Sequence, residues 1–243
     1  MRAWGITDVG FARQGRVNQD AFEMLEQPKG GLFVLCDGMG GANGGEIASR
    51  AACKCFLEHA GELTGREDFR QLRQKASDCI DASNADVLRR AMQNPALEGM
   101  GTTLAAVLAV GERCLCANVG DSRIYHLTAA GMRQVSTDHS WVAEMVRRGE
   151  ISPIEAAHHP RRNYITRALG AERVVEADYA EVTVQRGEYL LLCSDGLYTE
   201  VSEPEIYYEV FHSGHPELAC GSLVHKANRR GGRDNITIIL ISF

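Results

Sequence analysis

Three aspartates, each set in its own short motif and spread over nearly two hundred residues, constrain this chain more than any other feature. They are Asp37 in Cys36-Asp37-Gly38-Met39-Gly40-Gly41, Asp195 in Ser194-Asp195-Gly196-Leu197, and Asp234 in Arg233-Asp234-Asn235-Ile236-Thr237. Each borders an apolar run that reads as a strand, at 31–36, 189–193 and 236–241, so the carboxylates stand at strand ends. A sheet brings such ends to one point, and carboxylates that converge repel unless a cation joins them. Oxygen donors of this kind select Mg²⁺ or Mn²⁺ over zinc or copper. A lone Asp-Gly is most often a turn, so the joint occurrence carries the reading.

The three motifs need both ends of the chain to meet, and no linker or repeat divides it. Residues 1–243 are therefore expected to form a single domain. Its apolar content, 44%, suits a soluble chain with a sizeable core. The first twenty residues lack an apolar signal region, and no run approaches a membrane span; a cytoplasmic monomer without membrane contact is expected. A net charge of −6 with dispersed basic residues argues against a nucleic-acid surface. Eight cysteines invite a zinc or disulfide reading. Cys53/Cys55 and Cys114/Cys116, however, have one intervening residue where zinc sites use two to four, so small buried thiols are expected.

Along the chain, 4–10, 21–25 and 31–36 read as strands, 45–59 and 66–92 as helices, the latter stopped by Asn94-Pro95. From 103 the pattern turns to β, at 103–110, 113–119, 122–127 and 132–135, and reads as one antiparallel meander. A short helix at 140–148 leads into a polar flap at 151–169, rich in His and Arg. Strands at 174–184 and 189–193, helices at 203–211 and 216–229, and a strand at 236–243 complete the order. Strands in groups with helices inserted in pairs predict an α+β fold, antiparallel sheets carrying helices on their outer faces.

Seven motifs in sequence sharpen this reading: Asn18-Gln19-Asp20, the Asp37 loop, Gly99-Met100-Gly101-Thr102-Thr103, Gly120-Asp121-Ser122-Arg123, Asp138-His139-Ser140, Ser194-Asp195-Gly196 and 232–237. In this order they resemble the metal-dependent PP2C-type serine/threonine protein phosphatases in their compact bacterial form, over the whole chain. The resemblance implies a four-layer α-β-β-α sandwich, two antiparallel sheets flanked by helix pairs, with a two-metal site between the sheet edges. It makes Asp37 the bridging carboxylate and Gly38 a ligand through its carbonyl, with Asp195 and Asp234 completing the second ion. Asp20 would orient water, and Asp121 with Asp195 would hold a third, weaker ion. Mn²⁺ or Mg²⁺ would activate water against phosphoserine and phosphothreonine on proteins, opposing a Ser/Thr kinase.

Two positions depart from the family pattern. The phosphate-binding arginine usually stands five residues before the position of Asp20, which here is Gly15, with Arg13 and Arg16 on either side; the spacing from the first strand favours Arg13, with Arg16 the runner-up. Met39 stands where many eukaryotic relatives carry a histidine. Asp138 and His139 either cap the following helix or support the site. In the flap, Arg161, Arg162 and Arg167 are candidates for meeting acidic flanks of a phosphoprotein. The rival functions are a catalytically inactive phosphoprotein-binding relative and a metal-stabilised structural domain. Loss of metal acids would mark the first, and none is missing.

Overall fold

The computed structural model describes residues 1–40 and 44–243; Gly41 of the Asp37 motif lies outside the described residues. In chain order come β1 (Arg2–Asp8), β2 (Asp20–Gln27), β3 (Gly30–Met39), α1 (Gly44–Ala60) and α2 (Phe69–Gln93). The middle of the chain forms β4 (Gly101–Thr102), β5 (Leu104–Val110), β6 (Arg113–Val119), β7 (Arg123–Thr128) and β8 (Gly131–Gln134). Then follow α3 (Trp141–Arg147), α4 (Pro153–His158), β9 (Asp178–Thr183), β10 (Tyr189–Cys193), α5 (Asp195–Tyr198), α6 (Glu203–His212), α7 (Pro216–Arg229) and β11 (Ile236–Ser242). All pairings are antiparallel. One sheet runs β1-β11-β10-β7-β8; the other runs β2-β3-β5-β6-β9, with β4 beside β3.

The period of two along each strand sorts side chains into separate apolar layers. On β3, Phe33 and Leu35 face the opposite sheet and meet Leu190, Leu192, Ile239 and Ile241 between the sheets. Their neighbours Leu32, Val34 and Cys36 face outward onto Ala48, Ala52 and Phe56 of α1 and Leu72, Ala76 and Ile80 of α2. On β11, Ile236, Ile238 and Leu240 turn outward onto Ile206 of α6 and Leu223 of α7. Three apolar layers separate four layers of elements, the α-β-β-α sandwich. Both faces of the central strands are buried, which is why they read as near-continuous apolar runs.

The eight cysteines are free and buried, and burial pushes the Cys114, Cys116 and Cys193 thiols up. Seven of them, all but Cys55, are packing residues spread over the three layers.

Three local readings change. The meander is broken: β5 pairs with β6 in one sheet and β7 with β8 in the other, and the chain crosses between them at Gly120-Asp121-Ser122. Strand 174–184 shortens to β9, and β1 stops at Asp8. Helix α2 begins at Phe69 because Asp68 caps it: the Asp68 carboxylate accepts from the Gln71 N–H at 2.8 Å, and Gln71 returns the bond to the Asp68 N–H at 2.9 Å.

Candidate active site

The two sheets deliver the acids from opposite sides. In the β2–β3 pair, Asp20 stands directly across from Asp37, so register alone places these two carboxylates side by side. From the other sheet, Asp195 opens α5 where β10 ends, and Asp234 lies just before β11, the neighbour of β10. Asp121 enters at the crossing between the sheets.

Two glycines let these loops touch backbone to backbone. A Cβ on Gly196 would lie 2.0 Å from the Asn235 carbonyl oxygen, and one on Gly38 would lie 2.0 Å from that of Gly45 and 2.6 Å from that of Gln19. Any side chain at either position would push the acid motifs apart.

Hydroxyls stitch the sheets together at this point. The Ser194 and Thr237 hydroxyls both donate to Asp20 Oδ2, at 2.7 and 2.6 Å, while the Thr237 N–H donates to Ser194 Oγ at 3.0 Å. Thr103 Oγ1 accepts from the Asp37 N–H at 2.9 Å and shares a 2.7 Å hydrogen bond with Ser122 Oγ, tying the Asp37 strand to the Asp121 crossing. Ser194, Thr237 and Thr103 belong to the site although sequence reasoning did not single them out. Their signal was membership of the quoted motifs, Ser194 beside Asp195, Thr237 three residues after Asp234 and Thr103 closing Gly99-Met100-Gly101-Thr102-Thr103.

The electrostatics are those of an incomplete charge set. Asp20 is buried, with Oδ2 satisfied and Oδ1 without a partner; Asp195 Oδ1 is likewise buried and unpartnered. Burial, and then the charges of Asp20, Asp195 and Asp121, hold Asp37 well above the usual carboxylate range. Burial and then Asp20 push Asp195 up to about 6; burial and then Asp195 push Asp121 up to about 7. Unsatisfied oxygens aimed into a group of mutually repelling acids fit a hard cation. Among the described residues, no three His, Cys, Asp or Glu side chains close on one ion by themselves. Carboxylate oxygens are the hard donors that Mg²⁺ and Mn²⁺ take.

Of the two candidate arginines, Arg13 faces the acids. It pairs with Asp234, its charge acts on Asp20 and Asp195, and its Nε is buried without a partner. Arg16 is exposed, and its backbone N–H donates to the Arg13 carbonyl.

A second network holds Asp121. Asp138 accepts from Arg123 Nε at 3.0 Å and from its terminal nitrogen at 2.7 Å. The guanidinium lies 3.7 Å over the Tyr198 ring, whose hydroxyl donates to the Asp121 carbonyl at 3.1 Å. Because Tyr198 ends the helix that Asp195 begins, this stack also fixes Asp195 against Asp121. His139 is buried, its Nδ1 accepting from the Gly120 N–H at 3.1 Å. Asp138 and His139 thus support the crossing; the cap of α3 is Ser140.

The flap arginines part company. Arg161 lies over the Trp141 ring, and Arg167 turns inward onto His139 and Asp178. Only Arg162 of the three lines the cleft of about 910 Å³ that opens beside Asp121, Asp195 and Asp234. Arg161 is engaged by a ring and Arg167 by an internal ion pair, which leaves Arg162 as the flap arginine that faces the cleft. The flap also contains α4, which its polar composition concealed.

The family model for protein phosphatase 2C matches residues 10–220. This chain belongs to the protein phosphatase 2C family. It is 37% identical to the serine/threonine phosphatase stp of Listeria innocua over 99% of this chain and 95% of that protein. Its fold superposes on the S. agalactiae serine/threonine phosphatase with a TM-score of 0.91, at 33% identity, covering 98% of both chains. It is also similar to the catalytic domain of the phosphatase PstP in complex with two manganese ions, with a TM-score of 0.84 at 33% identity, covering 98% of this chain and 96% of that one. The reading of the motifs as those of a metal-dependent serine/threonine protein phosphatase holds, as does that of the sandwich. No helix among the described residues is long and apolar enough to cross a membrane.

Proposed function

We propose that this phosphatase holds two divalent ions between Asp37, the Gly38 carbonyl, Asp195 and Asp234, and a third, weaker one between Asp121 and Asp195. In this reading it removes phosphate from phosphoserine and phosphothreonine of cytoplasmic proteins, acting as a monomer and opposing a cognate Ser/Thr kinase. The observation that carries it is the group of converging acids with two buried, unpartnered oxygens. Bound there, the ions would supply a water of lowered pKa and neutralise the phosphoryl oxygens. Asp20, its Oδ2 locked by two hydroxyls, offers Oδ1 to orient a water. Arg13 presents a planar fork to the phosphoryl group. Met39 has no proton to give, so a water or another side chain donates to the leaving oxygen, or an activated leaving group departs unaided.

Calorimetric titration of the metal-free protein with Mn²⁺ should count two tight ions and one weak one. Asp121→Ala should lower turnover of a phosphothreonine peptide and remove the weak ion alone. Loss of both tight ions in that variant would make Asp121 a ligand of the core pair, and a wild type that binds a single ion would overturn the reading.

Arg13→Lys should lower kcat/KM by roughly tenfold or more, about 1.4 kcal/mol of transition-state binding, because an ammonium cannot reproduce a two-point contact. Arg16→Lys should change it little. The reverse result would move the phosphate contact to Arg16.

A further inference from the structure

The cleft is larger than the chemistry needs. At about 910 Å³ it matches pockets that enclose a drug-sized ligand, while a phosphoryl group fills only a small part of such a volume. Its two walls also differ in character. Asp121, Asp195 and Asp234 stand on one side. On the other, α3 contributes Val142, Ala143 and Val146, and α4 contributes Pro153, Ala156 and Ala157.

Within each helix these positions recur at the three- and four-residue spacing of one face, so two short helices turn apolar faces toward the acids. Packing of the flap against the body would bury such faces. Val142 is buried, but Val146 and Ala156 are only half-buried, and Pro153 and Ala157 are exposed.

Two of the lining cations are paired with carboxylates. Arg123 is held by Asp138 at 2.7 Å, and Arg233 stands 3.5 Å from Glu200. Arg162 is the lining cation without a carboxylate partner among the described residues. A peptide entering beside the acids would therefore meet this apolar face as well as the polar lining from Gln134, Ser136, Thr137 and Asn163.

We propose that the α3–α4 wall is a subsite for an apolar side chain flanking the phosphorylated residue, so that this enzyme selects phosphoproteins by an aliphatic neighbour rather than an acidic one. The occupant is the substrate's own chain, because the wall and the acids share one continuous cleft. The inference rests on the acids being the site of hydrolysis.

The test is a panel of phosphothreonine peptides in which one flanking residue at a time is leucine, alanine, lysine or aspartate, assayed with the Mn²⁺-loaded full chain. At one register leucine should lower KM and raise kcat/KM roughly tenfold over alanine, the scale of discrimination that an apolar pocket provides. Val146→Asp puts a carboxylate in the wall, and Ala157→Leu, at an exposed position, fills the space. Each should bring the leucine-to-alanine ratio to within about twofold, with thermal denaturation reporting that the variant is folded.

A flat panel, or a ratio unchanged in the folded Ala157→Leu protein, would overturn the subsite. So would a preference for aspartate, which would assign recognition to Arg162. Failure of the underlying reading looks different: the loaded wild type would then not hydrolyse p-nitrophenyl phosphate at all.

Discussion

Asp195→Asn is expected to cut turnover by roughly a thousandfold or more, about 4 kcal/mol, while raising the melting temperature of the metal-free protein. The two effects share one cause. Asp195 Oδ1 is shut from solvent without a partner, and burial together with the Asp20 charge pushes its carboxyl up to about 6. At neutral pH the folded chain therefore carries a charge that the unfolded chain carries more cheaply. An amide of the same shape removes that charge, and with it the attraction for a cation. Each pKa unit is worth about 1.4 kcal/mol, so relief on the order of 2–3 kcal/mol should raise the melting temperature by roughly 5 °C or more. Steady-state kinetics at saturating Mn²⁺ and calorimetry in EDTA read the two effects. Turnover within tenfold of wild type, or a lower melting temperature without metal, would remove Asp195 from the metal centre.

Asp37→Asn should behave alike, since Asp37 is raised by burial and by three neighbouring acids. Asp20 differs. Its Oδ2 accepts from Ser194 and Thr237, and those bonds stabilise the carboxylate against the burial that opposes it. An amide there keeps one acceptor but sets an N–H₂ beside buried groups, so stability gains less.

The acids at strand ends could be read from sequence because their motifs break apolar runs at fixed points, and the helices at 45–59 and 216–229 fell within a residue or so of α1 and α7. Which sheet each strand joins could not. β6 and β7 are both buried on both faces, and a period of two says which residues share a face without saying which neighbour a strand pairs with. The crossing at Gly120-Asp121-Ser122 was thus missed, although it is what brings Asp121 to the cleft.

Arg123 was hidden for a related reason. Its partners Asp138 and Tyr198 lie 15 and 75 residues on and become neighbours only when the crossing turns β7 into the other sheet. The ambiguity between Arg13 and Arg16 was one of loop geometry, which spacing alone does not determine. In the structure, Arg13 pairs with Asp234 from the far end of the chain.

Stripping the protein of divalent ions should stop hydrolysis, restore it on adding Mn²⁺, and reverse how stability depends on pH. Asp195 and Asp121 are pushed up to about 6 and about 7, chiefly by burial, so between pH 4 and 7 the folded metal-free chain binds more protons than the unfolded one. Stability then falls as pH rises through that window. Ions that bind the charged carboxylates displace those protons, and the loaded protein should gain stability over the same interval. His139, which burial holds below its usual value, favours the folded state at higher pH, but it does so with or without metal and cancels in the comparison. Starting at pH 5 also avoids the acid range where Glu209, held down at about 2 by Lys226, begins to lose its ion pair. In EDTA the melting temperature should be lower at pH 8 than at pH 5 by roughly 5–10 °C, and in Mn²⁺ it should be higher at pH 8. Equal profiles in the two buffers would mean that these acids do not hold the ion, and hydrolysis that survives EDTA would mean that no ion is needed.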